Sequence, residues 1–585
     1  AIPVGMACAG LVSGNSVILK PAEQTPMIVA EFEKLAREAG IDESVFVVSN
    51  GEGDVGKAIV DHELVNGVVF TGSKPVGVGI YHKMQEKLTS SKYPFLPIGK
   101  TVITEMGGKN AIIVTNNCEL DETVSGVLYA AFAHAGQKCS AASRILVDRE
   151  IKDAFLERFI QGVKDIPAGS SLDLATTVNP LISKEDQERV RAAVLKSRQD
   201  VEKQGGSVLV DRSQEDLAGF TVGPAVFEAT KEQAFDPSSF ACKEIFGPVV
   251  HVIPYDTLDE AVEIFNATEY ALTGGIFCQS QDDIDEIAPR LLAGNLYINR
   301  PNTGARVAIE PFGGFKMSGT GPKAGSAGYL LPFHRLEKMQ IKEVHPINVS
   351  HSLPYSMVRV SKIAWENRES KVADYLRTVI NRYEIYFSSI DERGKDVLSS
   401  LIEYVEEGKT KLESREFPNR YIPGQINFDK RNLQLGTGIL VIGEDKIDLE
   451  HFVTVLFNLV IGNGVNIICA NEEGYEAWSQ IVNLAYIAGV SPFNISCVKM
   501  DKEKIEEVLT SEDYDFLYLD GQIEHREEFR KAALATKSEV GLKRIYISGE
   551  WEDLSDFDQF IYRFTLPRSF AINTMRHGAP LELTL

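Results

Sequence analysis

One of the chain's seven cysteines lies in a setting that favours chemistry. Cys139 follows Gly136-Gln137-Lys138 after an apolar, helix-like stretch and precedes a strand-like run. The Lys138 cation and the backbone amides of such a junction would favour the thiolate, which is the reactive form of cysteine. We therefore interpret Cys139 as a candidate nucleophile, although a buried, inert cysteine is the commoner alternative for a lone residue.

Three further segments could supply a base or bind a ligand. In EMGGKN, Glu105 ends a strand-like run, and the glycines after it allow another chain or a cofactor to approach closely. KEIFGP carries a charged pair, Phe246 and a Gly-Pro turn, and TGA at Thr303 precedes PFGG at Pro311. Taken singly, each segment could equally be a solvated turn or, for Phe246, ordinary core.

The surrounding pattern alternates short β-branched runs with amphipathic stretches, which predicts parallel sheets in an α/β fold. The predicted strands of the first 75 residues are VILKP, VFVVSN and GVVFTG, and the helix MIVAEFEKLAREAG should end at Gly40. Farther on we predict a helix through LYAAFAHAGQ and the strands TVITEMGG, NAIIVT, RILVD, VVHVIPY and GGIFCQ. Ligands bind at the carboxyl ends of such strands, and the strands of the first 75 residues end in turn residues.

Residues from about 437 onward repeat the first block. LVSGNSVIL at Leu11 matches LVIGNGVNI at Leu459, and AREAGIDESVFVV at Ala36 matches AYIAGVSPFNISCV at Ala485. The sequence therefore predicts a duplicated nucleotide-binding-like fold. Between the copies, charged segments such as ESKVADYLRTVINRYEIYF and GKDVLSSLIEYVEEGK predict a helical connector over 346–436.

The second copy lacks the polar residues of the first. Lys20-Pro21 becomes Ala470-Asn471, and the turn Thr71–Ser73 becomes Asp520–Gln522. An aspartate in that turn would repel a pyrophosphate, so we expect no dinucleotide to bind there.

Composition excludes several classes of protein. The net charge of −23 over 585 residues disfavours binding to nucleic acid or to anionic lipid. The cysteines form no CxxC pair and no metal-binding spacing, so we expect no disulfide framework and no metal site. We expect no transmembrane segment and a cytoplasmic location. The abrupt start at Ala1 suggests a fragment of a longer protein.

Six segments together resemble the aldehyde dehydrogenase superfamily: LKPAEQTP, FTGS, EMGGKN, GQKCSAASR, KEIFGPV and PFGG, within residues 1 to about 340. The resemblance implies a Rossmann-like NAD-binding domain with an α/β catalytic domain, and oxidation of an aldehyde through a thiohemiacetal and a thioester. It implies that Cys139 is the nucleophile and Glu105 the general base. Implied NAD-binding residues are Lys20, Glu23, Thr71, Gly72, Ser73, Gly107, Glu244 and Phe246.

Within that superfamily, GQKCSAASR and TGA followed by PFGG look like the glutamate semialdehyde dehydrogenases. In those enzymes the serine and the Gly-Ala loop bind the substrate carboxylate, and the phenylalanine packs on its aliphatic chain. The corresponding residues here are Ser140, Gly304, Ala305 and Phe312. The resemblance implies that the family's oxyanion-stabilising asparagine lies before Ala1, so we expect the isolated chain to be nearly inactive.

The degenerate second copy, ending in Arg568–Thr574, resembles the long form of bacterial proline utilization A, in which a flavin-dependent proline dehydrogenase precedes this enzyme. That resemblance implies a terminal segment that covers the aldehyde site, a homo-oligomer, and flavin only in the absent upstream domain. The expected domains are 1–105 (partial NAD-binding), 106–305 (catalytic), 306–345 (return to the NAD-binding domain), 346–436 (connector) and 437–585 (degenerate dehydrogenase-like domain).

Two alternatives remain. The chain could be a non-catalytic structural module, or its substrate could be a different aldehyde. The sequence also leaves open the choice between NAD and NADP, the oligomer order and any channelling of an intermediate.

Overall fold

A computed structural model describes residues 2–88, 102–306, 309–334, 397, 400–401, 415–416, 425–434, 437–443, 447–487, 494–510, 514–535, 543–548, 564–573, 575–576 and 579–580. Within these ranges the helices are α1 (Ile2–Val12), α2 (Pro26–Glu38), α3 (Gly53–Asp61), α4 (Lys74–Leu88), α5 (Leu120–Phe132), α6 (Lys152–Asp165), α7 (Lys184–Lys203), α8 (Lys231–Phe235), α9 (Leu258–Asn266), α10 (Gln281–Ile287), α11 (Leu449–Ile461), α12 (Glu472–Ile487), α13 (Lys502–Leu509) and α14 (Arg526–Ala535).

The strands in the same ranges are β1 (Val17–Leu19), β2 (Phe46–Val48), β3 (Val68–Thr71), β4 (Val102–Glu105), β5 (Asn110–Val114), β6 (Ala142–Asp148), β7 (Ser207–Asp211), β8 (Ala225–Glu228), β9 (Val249–Tyr255), β10 (Tyr270–Ala271), β11 (Thr273–Phe277), β12 (Asn295–Ile298), β13 (Phe315–Lys316), β14 (Arg415–Glu416), β15 (Gln425–Gln434), β16 (Thr437–Ile442), β17 (Gly464–Cys469), β18 (Ile495–Lys499), β19 (Phe516–Leu519), β20 (Arg544–Ile547), β21 (Thr565–Asn573), β22 (Met575–Arg576) and β23 (Ala579–Pro580).

The first unit contains two parallel strand pairs, β1–β2 and β3–β4. The strands predicted in VILKP, VFVVSN and GVVFTG are therefore confirmed. Helix α2 has Pro26 in its first turn and is followed by Gly40, whose φ is 88°. A proline that needs no helical partner and a glycine that tolerates left-handed backbone fix both ends of this helix, as its sequence predicts.

A ten-stranded sheet forms the core of the next unit, in the order β14-β15-β21-β12-β11-β5-β6-β9-β8-β7. The six neighbouring pairs from β21 to β8 are parallel, and the outer pairs are antiparallel. Strands β5 and β9 are buried along their whole length, as expected for a parallel sheet covered on both faces. The last strand, β21, adds Phe570 and Ile572 to this core.

The helix predicted through LYAAFAHAGQ ends earlier than its apolar pattern indicates. Helix α5 stops at Phe132, and His134, Ala135 and Gly136 then have φ of 61°, 55° and 66°. Only glycine adopts this conformation without strain. Apolarity does not report backbone handedness, so the prediction was wrong for these residues.

The prediction of a helical connector over 346–436 was also only partly correct. Val397, Ser400 and Leu401 are helical, whereas β14 and β15 are strands that join the ten-stranded sheet. The segment ESKVADYLRTVINRYEIYF lies outside the described residues. Because β15 pairs with β21 near the end of the chain, its structure depends on a partner that local sequence does not reveal.

The region after 437 forms a parallel five-stranded sheet in the order β18-β17-β16-β19-β20. Its first matching segment has the same local structure as its counterpart. The Gly14 and Gly462 amides donate to Leu11 and Leu459, and both glycines have φ above 80°. Each turn joins a helix to a strand, α1 to β1 and α11 to β17. These shared turns support the predicted duplication.

One difference between the copies lies in the turn after β19. Asp520 is fully buried, and its carboxylate accepts the backbone N–H groups of Gly443 and Gln522, both at 2.9 Å. In the first copy the equivalent turn carries Thr71-Gly72-Ser73. The second turn therefore already satisfies its amides with an internal carboxylate.

Candidate active site

Cys139 follows the left-handed turn at the end of α5 and lies just before β6. Gly136 packs tightly within that turn, because a Cβ atom there would lie 2.4 Å from the Gly247 carbonyl oxygen. A side chain at this position would push apart the segments that carry Cys139 and Phe246. The glycine thus brings two of the predicted motifs into contact.

Asn110 fixes the backbone around Cys139. Its side-chain amide donates to the carbonyl oxygens of Cys139 at 2.7 Å and Ala141 at 2.9 Å. Its side-chain oxygen accepts the Thr273 backbone N–H at 3.0 Å. Asn110 was not predicted as a site residue, although it lies two residues after the glycines of EMGGKN.

Glu105 ends β4 with both carboxylate oxygens shielded from solvent. Within the described ranges, neither oxygen is in good hydrogen-bonding geometry. A Cβ atom on Gly319 would lie 2.8 Å from Oε1 and one on Gly313 3.2 Å from it, so the carboxylate rests against two glycines. Burial raises the pKa of Glu105 to about 8, although the nearby Gly314 amide and Lys323 ammonium lower it in part.

Glu244 lies directly over the glycines of EMGGKN. Its Oε1 accepts the Gly108 N–H at 2.9 Å, and a Cβ atom on Gly107 would lie 1.9 Å from Oε2. Burial raises the pKa of Glu244, while the Gly108 amide opposes that change. Phe246, two residues on, has a φ of 53° and is 42% exposed, so it is available to a ligand rather than part of the core.

Cys139 is not a thiolate in this arrangement. Burial and the Glu105 and Glu244 carboxylates raise the pKa of its thiol to about 12, against a smaller effect of the Ser140 and Cys139 amides. Lys138 does not offset them, because its ammonium lies over the Tyr129 ring, 5.7 Å from the centroid. The expectation that Lys138 favours the thiolate is therefore wrong for this state of the site.

The segments expected to bind a dinucleotide lie beside Glu105. Thr71 pairs with Glu105 in the β3–β4 register, and the Gly72 N–H donates to the Glu105 carbonyl at 3.0 Å. Ser73 immediately precedes α4, whose N-terminal amides could meet a phosphate. Lys20, at the end of β1, lies 3.6 Å from Glu23 and packs against Gly56 of α3.

Ser140 and the TGA segment, both predicted to bind the substrate, meet beside Cys139. The Ser140 and Thr303 hydroxyls lie 2.8 Å apart, and both residues are buried. Gly304 has a φ of 81°, which lets the chain turn directly after Thr303, and Ala305 follows it. Phe312 is half-buried and pairs through its backbone with Ala324. Thr303 was not singled out from the sequence, although it belongs to the quoted TGA segment.

A lysine from another segment reaches the back of the site. The Lys323 ammonium donates to the Gly294 carbonyl and to the Ser569 hydroxyl, both at 2.6 Å. Ser569 in turn donates to the Pro311 carbonyl at 3.0 Å, directly before Phe312. Since Ser569 lies 246 residues from Lys323, no local signal could have indicated this contact.

Among the described residues, no group of three or more His, Cys, Asp or Glu side chains could hold a metal ion. No described helix combines the length and apolarity needed to cross a membrane.

A model of the aldehyde dehydrogenase family matches residues 1–336, more than half of the 585. The chain belongs to this family. A 1-pyrroline-5-carboxylate dehydrogenase of Bacillus subtilis is 35% identical over 332 residues, covering 57% of this chain and 62% of that protein. The chain thus spans less than two thirds of the length of that relative.

Solved structures agree with this assignment. Proline utilization A from Bdellovibrio bacteriovorus is 38% identical, with a TM-score of 0.51 over 57% of this chain and 33% of its own. Proline utilization A from Corynebacterium freiburgense is 22% identical, with a TM-score of 0.67 over 99% of this chain and 49% of its own. At that identity the second likeness concerns the fold alone, but it extends over the region after residue 336.

Proposed function

We propose that the protein containing this chain oxidises L-glutamate γ-semialdehyde to L-glutamate with NAD as the hydride acceptor. The observation that carries the proposal is the convergence of Cys139, Glu105 and Glu244 around Gly107 and Gly108. A nucleophile, a base and a ligand-binding carboxylate are thereby gathered at the carboxyl ends of β4 and the strands beside it. The relatives named for 1-pyrroline-5-carboxylate support the substrate, because adding water opens that cyclic imine to glutamate semialdehyde.

In the first step, the Cys139 sulfur attacks the aldehyde carbon, and the thiol proton leaves as the carbon–sulfur bond forms. Since burial and the two carboxylates raise the pKa of the thiol to about 12, a base must assist this transfer. Glu105, with a pKa of about 8, can exchange a proton near neutral pH. NAD, when bound, would accept the hydride that the carbon of the thiohemiacetal adduct loses, and that loss would convert the adduct to a thioester.

In the second step, the resulting thioester is hydrolysed. Glu105 accepts a proton from a water molecule, the water oxygen attacks the acyl carbon, and the carbon–sulfur bond breaks to return the Cys139 thiol. The Glu105 carboxylate suits this role because its oxygens, packed against Gly313 and Gly319, make no hydrogen bond to the described residues that would occupy them.

The residues present fit a dinucleotide. Lys20 and Glu244 would hold ribose hydroxyls, and Ser73 at the start of α4 would meet the pyrophosphate, with Glu23, Thr71 and Gly72 lining the same turns. The Glu244 carboxylate rests against Gly107, and Phe246, two residues on, is exposed, so a nicotinamide ring could pack on it. Preference for NAD over NADP remains part of the proposal.

The substrate carboxylate would be bound by Ser140 and by the Gly304-Ala305 backbone, with Phe312 against the aliphatic chain. Hydroxyl and amide donors suit a carboxylate, and the contact between Ser140 and Thr303 holds the hydroxyl beside the loop. We expect Ser140→Ala to impair oxidation of the acidic semialdehyde more than that of a simple aliphatic aldehyde.

We also propose the wider setting of proline catabolism: an upstream, flavin-dependent proline dehydrogenase domain in the same polypeptide, a homo-oligomer and a cytoplasmic location. Support comes from a solved structure of bifunctional proline utilization A, which is 34% identical over 57% of this chain. The region after 437 would act as a scaffold that binds no dinucleotide, since Asp520 occupies its turn.

The proposal is tested by NADH formation from glutamate semialdehyde in the native full-length protein. Cys139→Ala should abolish it, because no other group replaces the thiol as nucleophile. Cys118→Ala is a matched control, since Cys118 is a partly exposed cysteine of the same unit. No NADH from the native protein, or undiminished activity in Cys139→Ala, would refute the proposal.

A further inference from the structure

A buried ion pair closes the base of the loop that follows β12. The Arg300 guanidinium lies 2.9 Å from Glu310 Oε1, and the two side chains are 13% and 1% exposed. Arg300 also lies over the Tyr297 ring, 4.9 Å from its centroid, which restricts the guanidinium from the other side. Removing one member of a buried ion pair leaves the other without a partner, so each side chain holds the other in place.

Glu310 also binds the loop backbone directly. Its Oε2 accepts the Arg306 N–H at 3.2 Å, while the Glu310 N–H donates to the Arg306 carbonyl at 3.0 Å. The two contacts hold the far end of the segment Thr303–Arg306 from both sides. At its near end, the same segment is held by the Ser140–Thr303 contact.

The site needs this segment to hold one shape. Gly304 has a left-handed φ of 81° and open space around its Cβ position, so nothing at the glycine itself fixes the turn. Backbone amides bind a carboxylate well only when they point to one place before the ligand arrives. The ion pair supplies that rigidity from outside the contact surface.

We propose that Glu310, held by Arg300, is a positioning residue that fixes the loop Thr303–Arg306 so that the site selects aldehydes bearing a carboxylate at the far end. This inference rests on the proposed function. It assigns Glu310 no contact with the reacting atoms, so its removal should act on substrate choice rather than on the chemical steps.

The experiment compares glutamate semialdehyde with pentanal, an uncharged aldehyde of similar length, in the native full-length protein. Glu310→Ala loses the ion pair with Arg300 and the side-chain contact with the Arg306 N–H. It should raise KM for the semialdehyde about tenfold or more, with kcat and the KM for pentanal changed less than about twofold. Glu310→Gln keeps the size and one acceptor oxygen, so its effect should be intermediate and again confined to the acidic substrate.

Glu228→Ala is the matched control, because Glu228 forms an ion pair with Lys152 at 2.8 Å elsewhere in the same sheet. It should leave the ratio of the two KM values unchanged. Equal effects of Glu310→Ala on both aldehydes, or an unchanged ratio, would overturn the inference. If Glu310→Ala does not fold, the ratio in Glu310→Gln decides in the same way.

Failure of the positioning role of Glu310 can be distinguished from failure of the proposed function. A wild-type protein that oxidises pentanal but not the semialdehyde would refute the proposed substrate. A selective wild-type protein whose Glu310 variants stay selective would refute the positioning role alone.

Discussion

Two carboxylates lie near Cys139 and raise the pKa of its thiol. Their effect depends on where the fold places them and not on their distance along the sequence from Cys139. Lys138 is its neighbour in the chain but lies over Tyr129, whereas Glu105 and Glu244 come from remote segments and raise the pKa of the thiol. The sequence identified Cys139 and Glu105 as candidates. It could not give the ionisation of the thiol, because that depends on which side chains the fold turns toward it.

At the residue scale, the pKa of Glu105 sets an expected pH dependence. A general base must be ionised, and a pKa of about 8 means that the deprotonated form grows as pH rises through that value. Thioester hydrolysis should therefore accelerate across that range. We expect Glu105→Gln to lose this rise and to lower the hydrolysis rate about a hundredfold or more, measured by single-turnover acid release.

Stability provides an independent check on the same carboxyl group. Its folded-state pKa lies above the ordinary value of 4.5, so its contribution to stability is greatest below pH 4.5 and is lost as pH rises toward 8. Glu105→Gln should remove that loss, so its melting temperature should exceed that of the wild type more at pH 8 than at pH 4.5. An equal difference at both values would contradict the raised pKa.

At the element scale, the predicted strands and helix α2 were found where the alternation of apolar residues indicates. The turn His134–Gly136 and the strand β15 were not, because left-handed backbone and pairing with a remote strand leave little trace in local periodicity. The glycines of EMGGKN were correctly interpreted as points of close approach. Glu244 occupies the space over Gly107 that a Cβ atom would need.

Gly107→Ala tests that close approach. The new methyl group would displace the Glu244 carboxylate, so we expect KM for NAD to rise about tenfold or more, measured by initial rates at saturating aldehyde. Gly79→Ala is the control, because Gly79 lies in α4 and its Cβ position has no atom within 4 Å. Equal KM values in the two variants would show that Glu244 does not bind the cofactor.

At the scale of the whole molecule, strand β21, near the end of the chain, is part of the sheet of the catalytic unit. Strand β21 pairs with β12 in parallel, and its Ser569 anchors the Lys323 ammonium behind Phe312. The Tyr81 hydroxyl of α4 also donates to the Lys543 carbonyl at 3.0 Å, so the C-terminal unit contacts the predicted cofactor helix. The family resemblance implied a covering segment, but the individual contacts depend on packing between remote parts of the chain.

Ser569→Ala tests the anchor. Loss of a hydrogen bond to a buried ammonium should lower stability by about 1–3 kcal/mol. A less restrained Lys323 should also lower the pKa of Glu105 less effectively, which moves the midpoint of thioester hydrolysis to higher pH. Ser143→Ala is the control, because the Ser143 hydroxyl is buried and makes no hydrogen bond within the described ranges. If the pH midpoint of thioester hydrolysis is the same in Ser569→Ala and the wild type, β21 does not influence the ionisation of Glu105.

Because of Asp520, the stabilities of the two copies of the fold should respond differently to a dinucleotide. The Asp520 carboxylate accepts hydrogen bonds from the Gly443 and Gln522 N–H groups, so an anion that belongs to the chain takes the place of a phosphate. The first copy has no such anion in its turn, so its stability should increase with the concentration of dinucleotide. The stability of the second copy should not change with the concentration of dinucleotide. It would therefore support the first copy equally well with and without ligand.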